Sequence, residues 1–216
     1  MLIPARFNGP PGSGNGGWSA GAFAAAAGAT VGGRPFQVTL RVPPPLDTPL
    51  TVSGGEVRDP AGALVAEVVA DADAGPGTPV ASPADAGPYP GLTAHPFPGC
   101  YACGPQHPDG LRIFPGPLPD GRVAAAWTVP PDVSFETVWA ALDCAGGWSA
   151  IQGGRVYVLG RIAAVVDALP AAGEACVVVG ALVSTEGRKA LVDSAVHAAD
   201  GSPLARARAT WVAPNR

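Results

Sequence analysis

The sequence predicts an α+β fold built from two related units, each an apolar helix followed by antiparallel strands. Three observations predict it. A stretch of apolar residues at helical length precedes several strand-like segments, and this order occurs twice along the 216 residues. The last three segments are separated by Glu186-Gly187 and Asp200-Gly201, both strong hairpin signals. Between them, residues 71–99 turn to Asp, Ala, Gly and Pro with almost no apolar period, and such a stretch cannot offset its ordering entropy by burial. The expected organisation is therefore a shortened unit over 1–70, a linker over 71–99 and a longer unit over 100–216.

Taken in order, the first unit opens with an Ala-rich helix over 16–27, and strands are expected at 36–42, 50–57 and 63–70. After the linker, Leu111-Arg112-Ile113-Phe114 and residues 122–129 read as strands bounded by Gly and Pro. The stretch Thr137-Val138-Trp139-Ala140-Ala141-Leu142 is a helix apolar on nearly all sides, hence buried. Strands follow at 156–165, 175–184, 189–198 and 204–212. Two local matches support a duplication. Leu40-Arg41-Val42 parallels Gly160-Arg161-Ile162, each in the first strand after its helix, and the turn around Asp59-Pro60-Ala61-Gly62 parallels that around Asp200-Gly201. The sequence Gly-Gly-Trp-Ser-Ala occurs at Gly16 and again at Gly146, but out of register with those matches, and is set aside as coincidence.

Composition bounds the function. Hydrophobic residues make up 47% and charged residues 14%, a globular balance. The net charge of −4 leaves no basic face to neutralise phosphates, so no nucleic-acid partner is expected. No apolar run approaches the length of a bilayer span and residues 1–12 lack the apolar core of a signal peptide, so no membrane association and a cytoplasmic location are expected. Four Cys are too few for a disulfide scaffold and are expected to stay reduced.

Two places could carry chemistry. Gly14-Asn15-Gly16-Gly17-Trp18 opens the first helix, where amides without internal partners and the helix dipole favour negative charge. Glycine there lets a carbonyl approach the backbone closely. Taken alone, the plainer reading, a flexible helix start with Asn15 as N-cap, carries more weight. Asp143 is the only carboxylate within either predicted helix, and a buried lone acid is costly unless paired or used. Burial would raise its pKa toward that of a general base, or leave it poised as a nucleophile. The alternative is a solvent-facing or backbone-bonded Asp143.

His95, Cys100, Cys103 and His107 offer four soft or borderline ligands within thirteen positions, enough for tetrahedral zinc. The spacing matches no common zinc knuckle, and the stretch reads as a turn with reduced thiols, so no metal and no cofactor are expected. Gly17-Trp18-Ser19-Ala20-Gly21 matches Gly-x-Ser-x-Gly, but the elbow of that motif needs a preceding buried strand and a parallel sheet, and neither is expected here. Trp18, Trp139 and Trp148 are candidates to line an apolar pocket, although large aromatics on helices are commonly core.

These residues resemble the hotdog-fold thioesterase superfamily over most of both halves. In that family a His-Gly-Gly or similar tripeptide opens the central helix, and an Asp or Glu follows nine residues after its first position. Asn15-Gly16-Gly17 fits the tripeptide, but Ala24 stands nine residues on. Nine residues before Asp143 stands Ser134, with Phe135 and Glu136 in place of the glycines. The resemblance implies a double hotdog, two antiparallel sheets each wrapping a central helix, with one intact site shared between the halves. It implies an acyl-CoA or similar thioester as partner, hydrolysed or only bound. Asp143, Asn15 and Gly17 would be catalytic, with Gly17 N–H holding the oxyanion and Asn15 orienting water or substrate. Gly16, Trp18 and Trp139 would contact substrate. A further pairing of two molecules into a homodimer is compatible with such a fold.

Overall fold

The computed structural model describes residues 1–151 and 154–214. Helix α1 (Gly16–Ala26) begins where Asn15 Oδ1 accepts from Trp18 N, and ends at Gly28, whose φ of +100° suits glycine at a helix C-terminus. Two short strands follow β1 (Phe36–Leu40). The segment expected as one strand over 50–57 is instead a hairpin, β2 (Thr51–Ser53) and β3 (Glu56–Arg58), because Gly54 and Gly55 take φ of +58° and +80° and turn the chain. β4 (Leu64–Ala70) closes the first set.

The next elements are β5 (Gly116–Pro117) and β6 (Val123–Thr128). Leu111-Arg112-Ile113-Phe114 is not a strand. Leu111 N and Ile113 N donate to Tyr101 O and Ala102 O, but Arg112 sits at φ +55°, so no ladder can continue. Helix α2 (Phe135–Ile151) extends past both ends of the stretch that the sequence suggested. Ser134 Oγ accepts from Thr137 N and Thr137 Oγ1 accepts from Ser134 N, a reciprocal cap at 3.3 Å each. The helix runs on through Gly146-Gly147 because these glycines are seats and not breaks. A Cβ on Gly147 would lie 2.4 Å from the Trp211 ring, and one on Gly146 2.9 Å from Val192. The two Gly-Gly-Trp-Ser-Ala stretches thus occupy different places, the start of α1 and the end of α2.

β7 (Val158–Val166), β8 (Ala175–Glu186), β9 (Lys189–His197) and β10 (Pro203–Val212) complete the chain. All the strands join one antiparallel sheet in the order β2-β3-β4-β1-β7-β10-β9-β8-β6-β5. The expectation of two sheets is corrected here. β1 and β7 pair edge to edge, Phe36 opposite Ala164 and Val38 opposite Ile162, so the two halves continue each other. Pairing those edges satisfies backbone groups that two separate sheets would leave exposed. Within that sheet, β2-β3-β4-β1 has the same order as β8-β9-β10-β7. The β3–β4 and β9–β10 turns also match: Asp59 N donates to Ala63 O as Ala198 N does to Ser202 O, and Gly62 and Gly201 have φ of +85° and +86°.

Both helices lie on one face of the sheet and against each other, and the core fills the space between. Residues 71–79 cross the opposite face. There Thr78 Oγ1 donates to Val179 O, and Arg208 holds Asp193 through two bonds of 2.8 and 2.9 Å. No helix among the described residues is long and apolar enough to cross a membrane.

The seat of α2 on β8 is the tightest of these contacts, since a Cβ on Gly180 would come within 2.1 Å of Ala145 O. Gly180→Ala is therefore expected to lower stability by about 1–3 kcal/mol, the usual cost of overpacking. The expected readout is a lower urea midpoint with an unchanged slope.

Candidate active site

The first turn of α1 meets the middle of α2 at a separation only glycine allows. A Cβ on Gly17 would lie 2.4 Å from Asp143 Cβ and 2.5 Å from Trp139 O, and one on Gly21, a turn later, 2.9 Å from Trp139 Cβ. This crossing brings Gly17 N–H to Asp143 Oδ2 at 2.8 Å. The bond uses one of the amides that a helix start leaves without an internal partner, and the helix dipole favours the negative end of the carboxyl group there. Asp143 is 2% exposed, and Oδ1 has no hydrogen-bond partner among the described residues. Burial pushes its pKa up to about 8; the Gly17 N–H opposes that shift and Cys100 adds to it.

Asp143 stands in the wall of a cavity of about 410 Å³, within the range of ordinary ligand sites. Asn15 and Gly16 line the same wall, while Phe97, Trp148, Tyr157, Leu159 and Trp211 supply apolar surface. The helix tip from the first half and the acid from the second thus share one cavity. Asn15 is committed to the helix: its Oδ1 caps Trp18 N at 2.8 Å and its Nδ2 faces the sulfurs of Cys100 and Cys144. Gly16 N–H has no acceptor within the chain among the described residues, and a Cβ on Gly16 would lie 3.4 Å from Asp143 Oδ2.

Other expected residues lie elsewhere. Gly17 is behind the wall, its N–H occupied by Asp143 and not free for a ligand. Trp18 stacks on Phe7 with ring centroids 3.9 Å apart, and Trp139 is fully buried under the helix crossing; neither lines the cavity. Trp148 does line it, as does Trp211, which reaches the site from the distant strand β10 and carried no local signal. At the start of α2, Ser134 is used as a cap, and Ala24 of α1 is fully buried.

The four residues read together as metal ligands do not converge as a set. His107 turns away, its Nε2 bonded to Arg6 O at 2.8 Å and its Nδ1 accepting from Asp109 N. In its place Cys144, the residue after Asp143, joins Cys100 and Cys103, and His95 Nε2 lies 3.4 Å from Cys103 Sγ. All four cysteines are free and buried.

The sequence matches no protein-family model and no curated protein. Two solved structures match over the whole chain. A protein from Novosphingobium aromaticivorans named as a candidate thioesterase aligns with a TM-score of 0.68 at 15% identity, over 94% of its own length. A conserved protein from Alicyclobacillus acidocaldarius described as having a hot dog fold aligns with a TM-score of 0.61 at 10% identity, over 92% of its length. At these identities the likeness establishes the fold: the chain has the hotdog fold, with one long antiparallel sheet and two central helices.

The buried acid has a consequence for stability. Its folded pKa is raised above the unfolded one, so the protein binds the proton more tightly when folded, and stability falls as pH rises from about 4 to about 8. Asp143→Asn keeps an acceptor for Gly17 N–H and removes that ionisation. Thermal melts should show the variant matching wild type near pH 4 and exceeding it at pH 8, by a difference on the order of a few kcal/mol. A constant offset across that range would refute the assignment.

Proposed function

We propose that the protein hydrolyses a thioester, with acyl-CoA as the substrate class and Asp143 as general base. The carrying observation is a buried carboxyl group with one oxygen fixed by Gly17 N–H and the other unpartnered, in the wall of a mainly apolar cavity. The apolar walls suit an acyl chain. The candidate-thioesterase name of the Novosphingobium aromaticivorans structure agrees with this reading, although that likeness speaks only to fold.

In the proposed step, Asp143 Oδ1 takes a proton from a water molecule as its oxygen bonds to the thioester carbonyl carbon. The carbonyl electron pair moves to the oxygen, which the free Gly16 N–H and the α1 dipole stabilise. Collapse breaks the C–S bond, and the departing sulfur takes the proton from Asp143, leaving a carboxylic acid and a thiol. Asn15 is a positioning residue that fixes the helix tip. The oxyanion role expected for Gly17 passes to Gly16, since the Gly17 amide is already used. The same reading treats 1–70 and 100–216 as diverged copies joined by 71–99, supported by the matching strand order and turns.

A binding-only protein on the same fold is favoured by one observation, the occupation of Gly17 N–H by the acid. A panel of acyl-CoAs separates the two. Thiol release is followed with a thiol reagent, for which the four buried cysteines give a low background. Turnover is expected with at least one acyl-CoA, and Asp143→Asn should lower kcat/KM by about 10²-fold or more. Tight binding without thiol release, or an Asp143→Asn variant as active as wild type, would defeat the hydrolytic proposal.

A further inference from the structure

Cys100 and Cys103 come from the loop before β5 and Cys144 from the middle of α2, yet their Sγ atoms all lie within 4.8 Å of one another. Cys100 and Cys144 are 3.9 Å apart. Around a tetrahedral ion with metal–sulfur bonds of about 2.3 Å, neighbouring sulfurs stand about 3.8 Å apart, so Cys100 and Cys144 already stand at the spacing of a metal-bound pair, with Cys103 Sγ within 4.8 Å of both. The three side chains are 4–5% exposed. The loop holds that spacing by a tight turn: Gly104 N donates to Cys100 O, and a Cβ on Gly104 would lie 2.4 Å from Cys100 N and from Pro98 O.

Each sulfur also faces an N–H donor. Asn15 Nδ2 is 3.6 Å from Cys100 and 3.9 Å from Cys144. His95 Nδ1 accepts from Phe97 N at 2.8 Å, which places the ring proton on Nε2, 3.4 Å from Cys103 Sγ. His95 is thereby a donor to sulfur and not a ligand. Donors aimed at sulfur stabilise thiolate and orient it, the usual task of the groups around metal ligands.

We propose that Cys100, Cys103 and Cys144 form a three-thiolate site for zinc or a similar thiophilic divalent ion. All three line the cavity, so the fourth position opens toward it and is left to water, the arrangement of an accessible zinc site and not a closed structural one. Soft sulfur donors and tetrahedral spacing exclude magnesium and calcium. The site shares its cavity with Asp143, and its metal binding is measured without reference to hydrolysis.

The test uses the full-length protein, reduced, stripped with a chelator and titrated without oxygen with Co²⁺. One equivalent should bind per chain, with the sulfur-to-cobalt charge-transfer absorption and tetrahedral visible bands that thiolate ligation produces, and Zn²⁺ should abolish both. Cys144→Ser should weaken binding by about tenfold or more and lower the charge-transfer intensity by about a third. Cys103→Ser repeats the measurement should the first variant lose its far-ultraviolet circular dichroism. Cys176→Ser, on β8 and outside the cluster, should bind as wild type does. Cobalt addition without charge-transfer absorption, equal loss in Cys176→Ser, or a Cys100–Cys144 disulfide in reduced, metal-challenged protein would each overturn the proposal.

Discussion

The close crossing of α1 over α2 brings the helix tip and the acid to the cavity. It exists because Gly17 and Gly21 present no Cβ to Trp139, Ala140 and Asp143. Without it the amide of Gly17 could not reach the carboxyl group, and Asp143 would sit in an apolar helix with no partner at all. Removing a carboxylate from water costs several kcal/mol, and one hydrogen bond from a helix-start amide offsets only part of that. The remainder appears as the raised pKa. The same contact that positions the acid therefore also determines how far it departs from an ordinary aspartate.

The crossing depends in turn on the sheet. α1 is carried by the first half and α2 by the second, and the β1–β7 pairing is the ladder that joins their strands. A slip of one residue there would shift the halves by about 3.3 Å and turn the buried side chains to the wrong face. Val38 and Ile162, opposite each other and fully buried, hold the register. The tip of α1 and the acid of α2 meet at the cavity, while Phe135 and Glu136 at the start of α2 and Ala24 of α1 do not line it.

Much of this was legible in the residues. Helix-then-strands occurring twice, the hairpin turns at Gly187 and Gly201, and the lone acid at Asp143 all follow from local pattern and composition. What failed did so for non-local reasons. Gly146 and Gly147 lie beyond the helical stretch that the residues suggest, and glycine in a helix is unfavourable by itself, yet α2 runs through them and lies against Val192 and Trp211 there. Trp18 and Trp139 suggested a pocket by their size, but which side of a helix faces a cavity and which faces the neighbouring helix cannot be told when every side is apolar. Trp211 and Cys144 reach the site through tertiary packing, and no spacing rule links either to Cys100. The single sheet was missed because edge pairing between β1 and β7 lies about 120 residues apart in the chain and leaves no sequence periodicity.

The elevated pKa of Asp143 has to be reconciled with the proposal that it acts as a base. A carboxyl group titrating near 8 is about one-tenth ionised at pH 7, which limits the active fraction by about tenfold. The ionised tenth, however, is a far stronger base than an ordinary aspartate, and general-base efficiency peaks when the pKa lies near the working pH. An acid fully ionised at neutral pH would be always available but a weaker base; a fully apolar site would hold the acid protonated throughout. The Gly17 amide sets the balance between these extremes, because it favours the ionised form without supplying water to the second oxygen. On that account the unpartnered, buried Oδ1 is the part of the proposed site that a ligand or water must complete.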